Sequence, residues 1–311
     1  MVIPSRENLV ILLYSSILIT ILEALLFKLS PQIYSVFNSL PILMAGLILK
    51  INLFFFSLVF SNILFFLSSL NNLFFVEDFV LSKITINLFI VSSLVFFFIY
   101  LLRIKKNNTT FSTGKVLVFL TLITSFFLFL FNLLYYSKFA SEDLKNFLLN
   151  ILPEIKNSTQ QPTTDYEGLV DMIIRILPSI NTFVFLLTLI ANFFLASFFL
   201  KKLKLPPIYS LSFNNFSTPK WYFILYFCFL ILSFILENNE QYHIINITII
   251  LTLVFFIEGS LIFFNFFERF KINVNIKILI IFLLFIFLGY VLLLTIIFLG
   301  LYSNFKKFIR K

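Results

Sequence analysis

Long apolar runs separated by short polar breaks dominate the chain. They lie at residues 9–29, 51–70, 81–102, 116–136, 180–200, 244–267 and 278–302. Each has roughly the 20-residue length a helix needs to cross a bilayer. Two further runs carry weaker patterns. Residues 32–49 are interrupted by Pro41, and 221–236 is short, so each reads as a tilted span, a re-entrant element or a helix buried by its neighbours. The pattern predicts an all-α polytopic transmembrane helical bundle of about eight or nine spans, forming a single membrane domain over 1–311. No small-residue cleavage site follows the first run before Pro31, so that run reads as a retained helix rather than a removed signal peptide.

One stretch, 137–178, has soluble character and reads as an amphipathic insert. Leu144, Phe147, Leu148 and Ile151 follow helical spacing until Pro153. Leu169, Met172, Ile173 and Ile176 repeat that spacing behind Thr164 and Glu167, a capping-box pair. A Ser/Thr/Gln/Pro-rich turn at 157–164 separates the two patterns. Both are expected to lie along the membrane surface or to cap the spans; a lid over a cavity is the functional alternative.

Composition agrees with the pattern. The chain is 60% hydrophobic and 12% charged, about half the charge of a soluble domain, and its mean hydropathy is +1.05. Abundant Phe (48) beside scarce Gly (6) fits an AT-rich coding bias and says little about function. The net charge of +9 suggests nucleic acid at first sight, but the cations cluster at the ends of apolar runs, where positive-inside anchoring explains them. Arg103, Lys105, Lys106 and Lys115 mark one cytoplasmic loop, and Lys201, Lys202, Lys204 and Lys220 a second. The segment between the intervening spans then falls outside, in keeping with its six acidic residues against four basic. Arg269, Lys271 and Lys277 mark a third cytoplasmic loop. A single crossing by 278–302 would export the tail with Lys306, Lys307, Arg310 and Lys311, against the charge rule. Either one span is misassigned or the tail is an exception.

With one Cys (Cys228) and one His (His243), a disulfide framework, the usual zinc sites and a Cys/His dyad are excluded. Cys228, inside an apolar run, is expected to be a packing residue. No phosphate loop, His-x-x-x-His helix, nucleophile elbow or paired aspartates occur. The expectation is no catalytic residues, no metal and no cofactor. No internal repeat supports an inverted-repeat transporter.

The informative residues are carboxylates inside apolar runs, since one at the bilayer centre costs about 2.5–3.5 kcal/mol on insertion scales. Glu258 is one, with Gly259 beside it and Asn265 seven residues on, nearly the same helix face. Ser16, Thr20 and Glu23 line up on the first run, and Asn181, Thr188 and Asn192 on the run at 180–200. Three such stripes meeting around a cavity would make Glu258, Asn265, Asn192, Thr188 and Glu23 ligand-binding residues. The alternative is that they hydrogen-bond helix to helix, with Glu258 a protonated structural carboxyl and Glu23 reaching the interface.

Several strings in the C-terminal half carry a resemblance. These are the stretch from Leu177-Pro-Ser-Ile to Ala196 with its following Lys-Lys-Leu-Lys, Thr218-Pro-Lys-Trp, Phe255-Phe-Ile-Glu-Gly, and the ending from Leu299 to Lys311. Leu40-Pro-Ile-Leu-Met-Ala-Gly fits more loosely. They resemble the YybS-like predicted membrane proteins of bacteria. That family is thought to be distantly similar to the membrane-embedded substrate-binding subunits of energy-coupling-factor transporters. The resemblance implies a helical cavity for a small solute and transporter partner subunits. This chain has more spans than those subunits and lacks their small-residue docking motif.

The expected protein is therefore a multi-pass component of the bacterial cytoplasmic membrane. It contacts the lipid bilayer, binds or transports a small-molecule solute, and has no nucleic-acid partner. The alternative is a non-transporting scaffold or interaction protein of the cell envelope; an intramembrane lipid-modifying enzyme ranks behind both.

Overall fold

The computed structural model describes residues 6–70, 78–108, 111–135, 166–213, 216–236, 238–269 and 274–309. Every regular element among them is a helix. In chain order these are α1 (Arg6–Leu29), α2 (Pro31–Phe37), α3 (Ser39–Ile48), α4 (Ile51–Leu70) and α5 (Asp78–Asn107). They continue with α6 (Thr113–Tyr135), α7 (Tyr166–Lys202), α8 (Lys220–Ile235), α9 (Asn238–Glu268) and α10 (Val274–Ile309). The protein is an all-α membrane helical bundle. Among the described residues, five stretches are long and apolar enough to cross a membrane: Leu88–Asn107, Thr113–Leu130, Met172–Lys202, Glu240–Glu268 and Phe287–Ile309. Shorter apolar helices occupy Val10–Leu26, Ile33–Ile48, Ile51–Leu67 and Lys220–Ile235.

Large apolar side chains point outward throughout, with Phe234 and Phe287 each 80% exposed. Soluble monomers expose only small contiguous apolar patches, so this surface is one for lipid. What pulls such helices together is packing of small residues and inter-helix hydrogen bonds rather than burial of oil from water.

The helices group into two compact units, Met1–Phe111 with Phe185–Ser212, and Ser112–Val184 with Phe213–Lys311. In the first unit, α1 and α4 join through hydroxyls. Ser15 Oγ lies 2.7 Å from Ser57 Oγ, and Thr20 Oγ1 donates to Ser61 Oγ at 3.3 Å. Phe54 is fully buried and lies against Gly46, whose hydrogen leaves room for that ring.

In the second unit, α9 packs against α6, α8 and α10. Tyr222 of α8 is fully buried and donates its hydroxyl to the Leu251 carbonyl of α9 at 2.6 Å. At the start of α6, Ser112 Oγ donates to the Ser217 carbonyl at 2.9 Å. Gly114 lies so close to the same carbonyl that no side chain fits between them.

Three expectations change. The run at 32–49 breaks at Asn38 rather than at Pro41, because a proline ring crowds the carbonyl four residues before it, here that of Phe37. The amphipathic pattern from Leu169 to Ile176 is no separate surface helix; it is the beginning of α7, which runs on through Pro178. The first amphipathic pattern, 144–151, lies outside the described residues. Cys228 is exposed rather than packed. The run at 278–302 lies within α10, which Gly289 breaks with φ 38° and ψ −113°, a conformation glycine adopts at little cost.

Candidate functional site

The densest polar constellation among the described residues forms around Glu258, where glycines let two helices touch. A Cβ on Gly259 of α9 would strike the Ile296 carbonyl of α10, and a Cβ on Gly300 would strike the Phe255 carbonyl of α9. Small residues at such positions permit the close backbone approach that membrane helices use to associate.

That approach sets the last turns of α10 against the Glu258 carboxylate. Ser303 Oγ donates to Oε1 at 2.7 Å and Lys307 Nζ to the same oxygen at 2.6 Å. Asn304 Nδ2 donates to Oε2 at 2.7 Å, and Thr218 Oγ1, two residues ahead of α8, donates to Oε2 at 2.6 Å. Each oxygen takes two donors, which fills the roughly four acceptor sites a carboxylate offers. Glu258 is 4% exposed, whereas the Lys307 side chain is 42% exposed. The site is therefore a buried anion whose charged counter-ion reaches it from the surface. Three neutral donors hold the carboxylate in place and Lys307 supplies the compensating charge, an arrangement needed wherever a charge leaves water.

Thr218, Ser303, Asn304 and Lys307 were absent from the residues singled out by sequence. Ser303 and Lys307 are four apart, hence on one helix face, and that spacing was the available signal. Lys307 read only as part of a basic tail. Through Glu258 it meets Thr218, which adjoins Lys220, and Ser217 meets the start of α6 beside Lys115. The end of α10 therefore lies at the same end of the unit as Lys220 and Lys115.

Asn265, on the same helix as Glu258, is exposed and supplies none of the four donors. Glu23, Thr188 and Asn192 belong to the first unit. Asn192 is buried and donates its amide to the Val36 carbonyl at 2.7 Å and to Ser39 Oγ at 2.9 Å, tying α7 to the junction of α2 and α3. Thr188 donates to the Phe185 carbonyl of its own helix at 2.8 Å. Glu23 is 1% exposed, and among the described residues neither of its carboxyl oxygens has a hydrogen-bond partner. Among those residues no three His, Cys, Asp or Glu side chains assemble into a group able to hold a metal ion.

Fold and surface thus define a polytopic helical membrane protein with a buried, internally neutralised carboxylate. The chain belongs to the family described as "Predicted membrane protein (DUF2232)", which it matches over residues 9–302. No curated protein matches it, and no solved structure does.

Proposed function

We propose that the protein is a non-enzymatic small-solute binding or transport component of the bacterial cytoplasmic membrane, and that its site is the Glu258 carboxylate. One observation carries the reading. The carboxylate is buried and preorganised by Thr218, Ser303 and Asn304, yet its cation is the half-exposed end of a flexible side chain. An incoming cation, a primary ammonium or an alkali ion, finds the carboxylate already held by three neutral donors and needs only to displace Lys307. The displaced ammonium swings into water at little cost because it is already partly hydrated. The resemblance to YybS-like proteins, and through them to energy-coupling-factor binding subunits, supports a solute site and a role beside transporter partner subunits.

The test is thermal unfolding of the purified, detergent-solubilised protein against a panel of small amines and alkali salts at constant ionic strength. A bound cation raises the unfolding temperature saturably in the wild-type protein and in Lys307→Met, at about ten times lower concentration in the variant. Glu258→Gln abolishes the response. If no cation shifts either protein, the cluster serves only to fasten α10, and the scaffold reading takes its place.

A further inference from the structure

The first unit carries a second candidate site, distinct in chemistry from the first. Where α4 begins and α5 ends, a cavity of about 470 Å³ opens at the protein surface, within the roughly 300–1,000 Å³ typical of ligand pockets. Its walls are the rings of Phe55, Phe56, Phe96, Phe97 and Tyr100. Phe55 and Phe96 meet edge to face at 5.4 Å, fixing one side of the groove. Phe55 is 47% exposed and Tyr100 43%, so the groove opens on the face turned to lipid. Its polar end is different. Arg103 and Asn52 complete the lining, and among the described residues no carboxylate pairs with Arg103.

This polarity selects an occupant. A chain of apolar rings ending in one uncompensated guanidinium matches an amphiphile with a hydrocarbon tail and an anionic head. Guanidinium groups bind phosphate through two parallel hydrogen bonds. Lys50, exposed at the start of α4, adds positive charge at the same end. The Arg103 end of α5 is also the end that the charge rule places at the cytoplasmic leaflet, whose lipids are the anionic ones. A zwitterionic lipid would satisfy the rings but bring its own cation to an end that already holds Arg103 and Lys50; a soluble anion would leave the rings unfilled.

We propose that this groove holds one anionic phospholipid, its phosphate on Arg103 and an acyl chain along Phe55, Phe56 and Phe96. The site binds a lipid as a ligand rather than as bulk solvent, independently of Glu258.

Native mass spectrometry of the full chain tests this. The protein is delipidated in mild detergent and offered phosphatidylglycerol, phosphatidylcholine of the same chains, or oleate, each at equal concentration. Retention of a single phosphatidylglycerol, about tenfold over phosphatidylcholine and over oleate, is expected. That ratio corresponds to ~1.4 kcal/mol. Arg103→Gln removes the preference, Arg103→Lys keeps part of it, and Arg269→Gln, at an exposed arginine elsewhere, leaves it intact. Unfolding temperatures of the three variants within a few degrees of wild type ensure that lost retention is not lost fold. Equal retention of the two phospholipids, undiminished preference in Arg103→Gln, or oleate retained as well as phosphatidylglycerol would each overturn the proposal.

Discussion

Lys307 donates to Glu258 Oε1 at 2.6 Å across 49 residues of chain, making the C-terminal turn of the last helix the counter-ion of a carboxylate buried in the helix before it. Removing either partner has unequal consequences. Glu258→Ala strips the acceptor from four donors at once and is expected to cost about 2–4 kcal/mol, toward the range for breaking buried pairs. Lys307→Met leaves three neutral donors on the carboxylate, and the lysine is already partly hydrated, so its cost is expected to be about 1–2 kcal/mol. Unfolding of both single variants and the double variant in detergent gives the coupling directly.

The glycine contact that creates the site is testable by adding one carbon. Gly259→Ala and Gly300→Ala each place a methyl group into a backbone carbonyl of the opposite helix. Neither carbonyl can retreat without moving its helix. Each substitution is expected to destabilise by about 1–3 kcal/mol or more, and to pull Ser303, Asn304 and Lys307 away from Glu258. Gly289→Ala meets no neighbouring atom, and its cost arises from the positive φ alone.

Asn192 separates a packing role from a binding one. Its amide already serves Val36 and Ser39. Asn192→Ala is expected to lower stability by about 0.6–1.7 kcal/mol, the range for hydrogen bonds between membrane helices, with no change in the cation response of the protein. A lost response with unchanged unfolding temperature would return Asn192 to the list of ligand contacts.

Glu23 behaves in the opposite sense. A carboxyl that is buried and whose oxygens have no hydrogen-bond partner among the described residues is a burden to the fold. Glu23→Leu is expected to raise stability by about 1–3 kcal/mol. Unfolding that is unchanged or easier in the variant would mean that the carboxyl is engaged, and would make Glu23 the next residue to probe for a ligand.

The local part of this architecture was legible in the sequence. The run at 51–70 coincides with α4 residue for residue, and the short run at 221–236 matches α8 to within one residue at each end. Run length and hydropathy are properties of neighbouring residues, and a membrane leaves helices as the solution for such runs. Glu258 was visible for the same reason, as one carboxylate in an apolar run. Its partners were not, because pairing Glu258 with Ser303, Asn304 and Lys307 depends on how α9 and α10 cross, which hydropathy does not encode. The break at Gly289 was hidden too. Nothing in its apolar surroundings marks that glycine as a turn, so the last run read as a single crossing.

The most direct test of the account is chemical rescue at the Glu258 site. Lys307→Ala removes the tethered ammonium and leaves room for a free one. Ethylammonium chloride, titrated into that variant at constant ionic strength, is predicted to restore the lost unfolding temperature along a saturating curve. The Glu258→Gln/Lys307→Ala double variant should give no such curve. Rescue that is absent, or equally strong in the double variant, would contradict a cation site at Glu258.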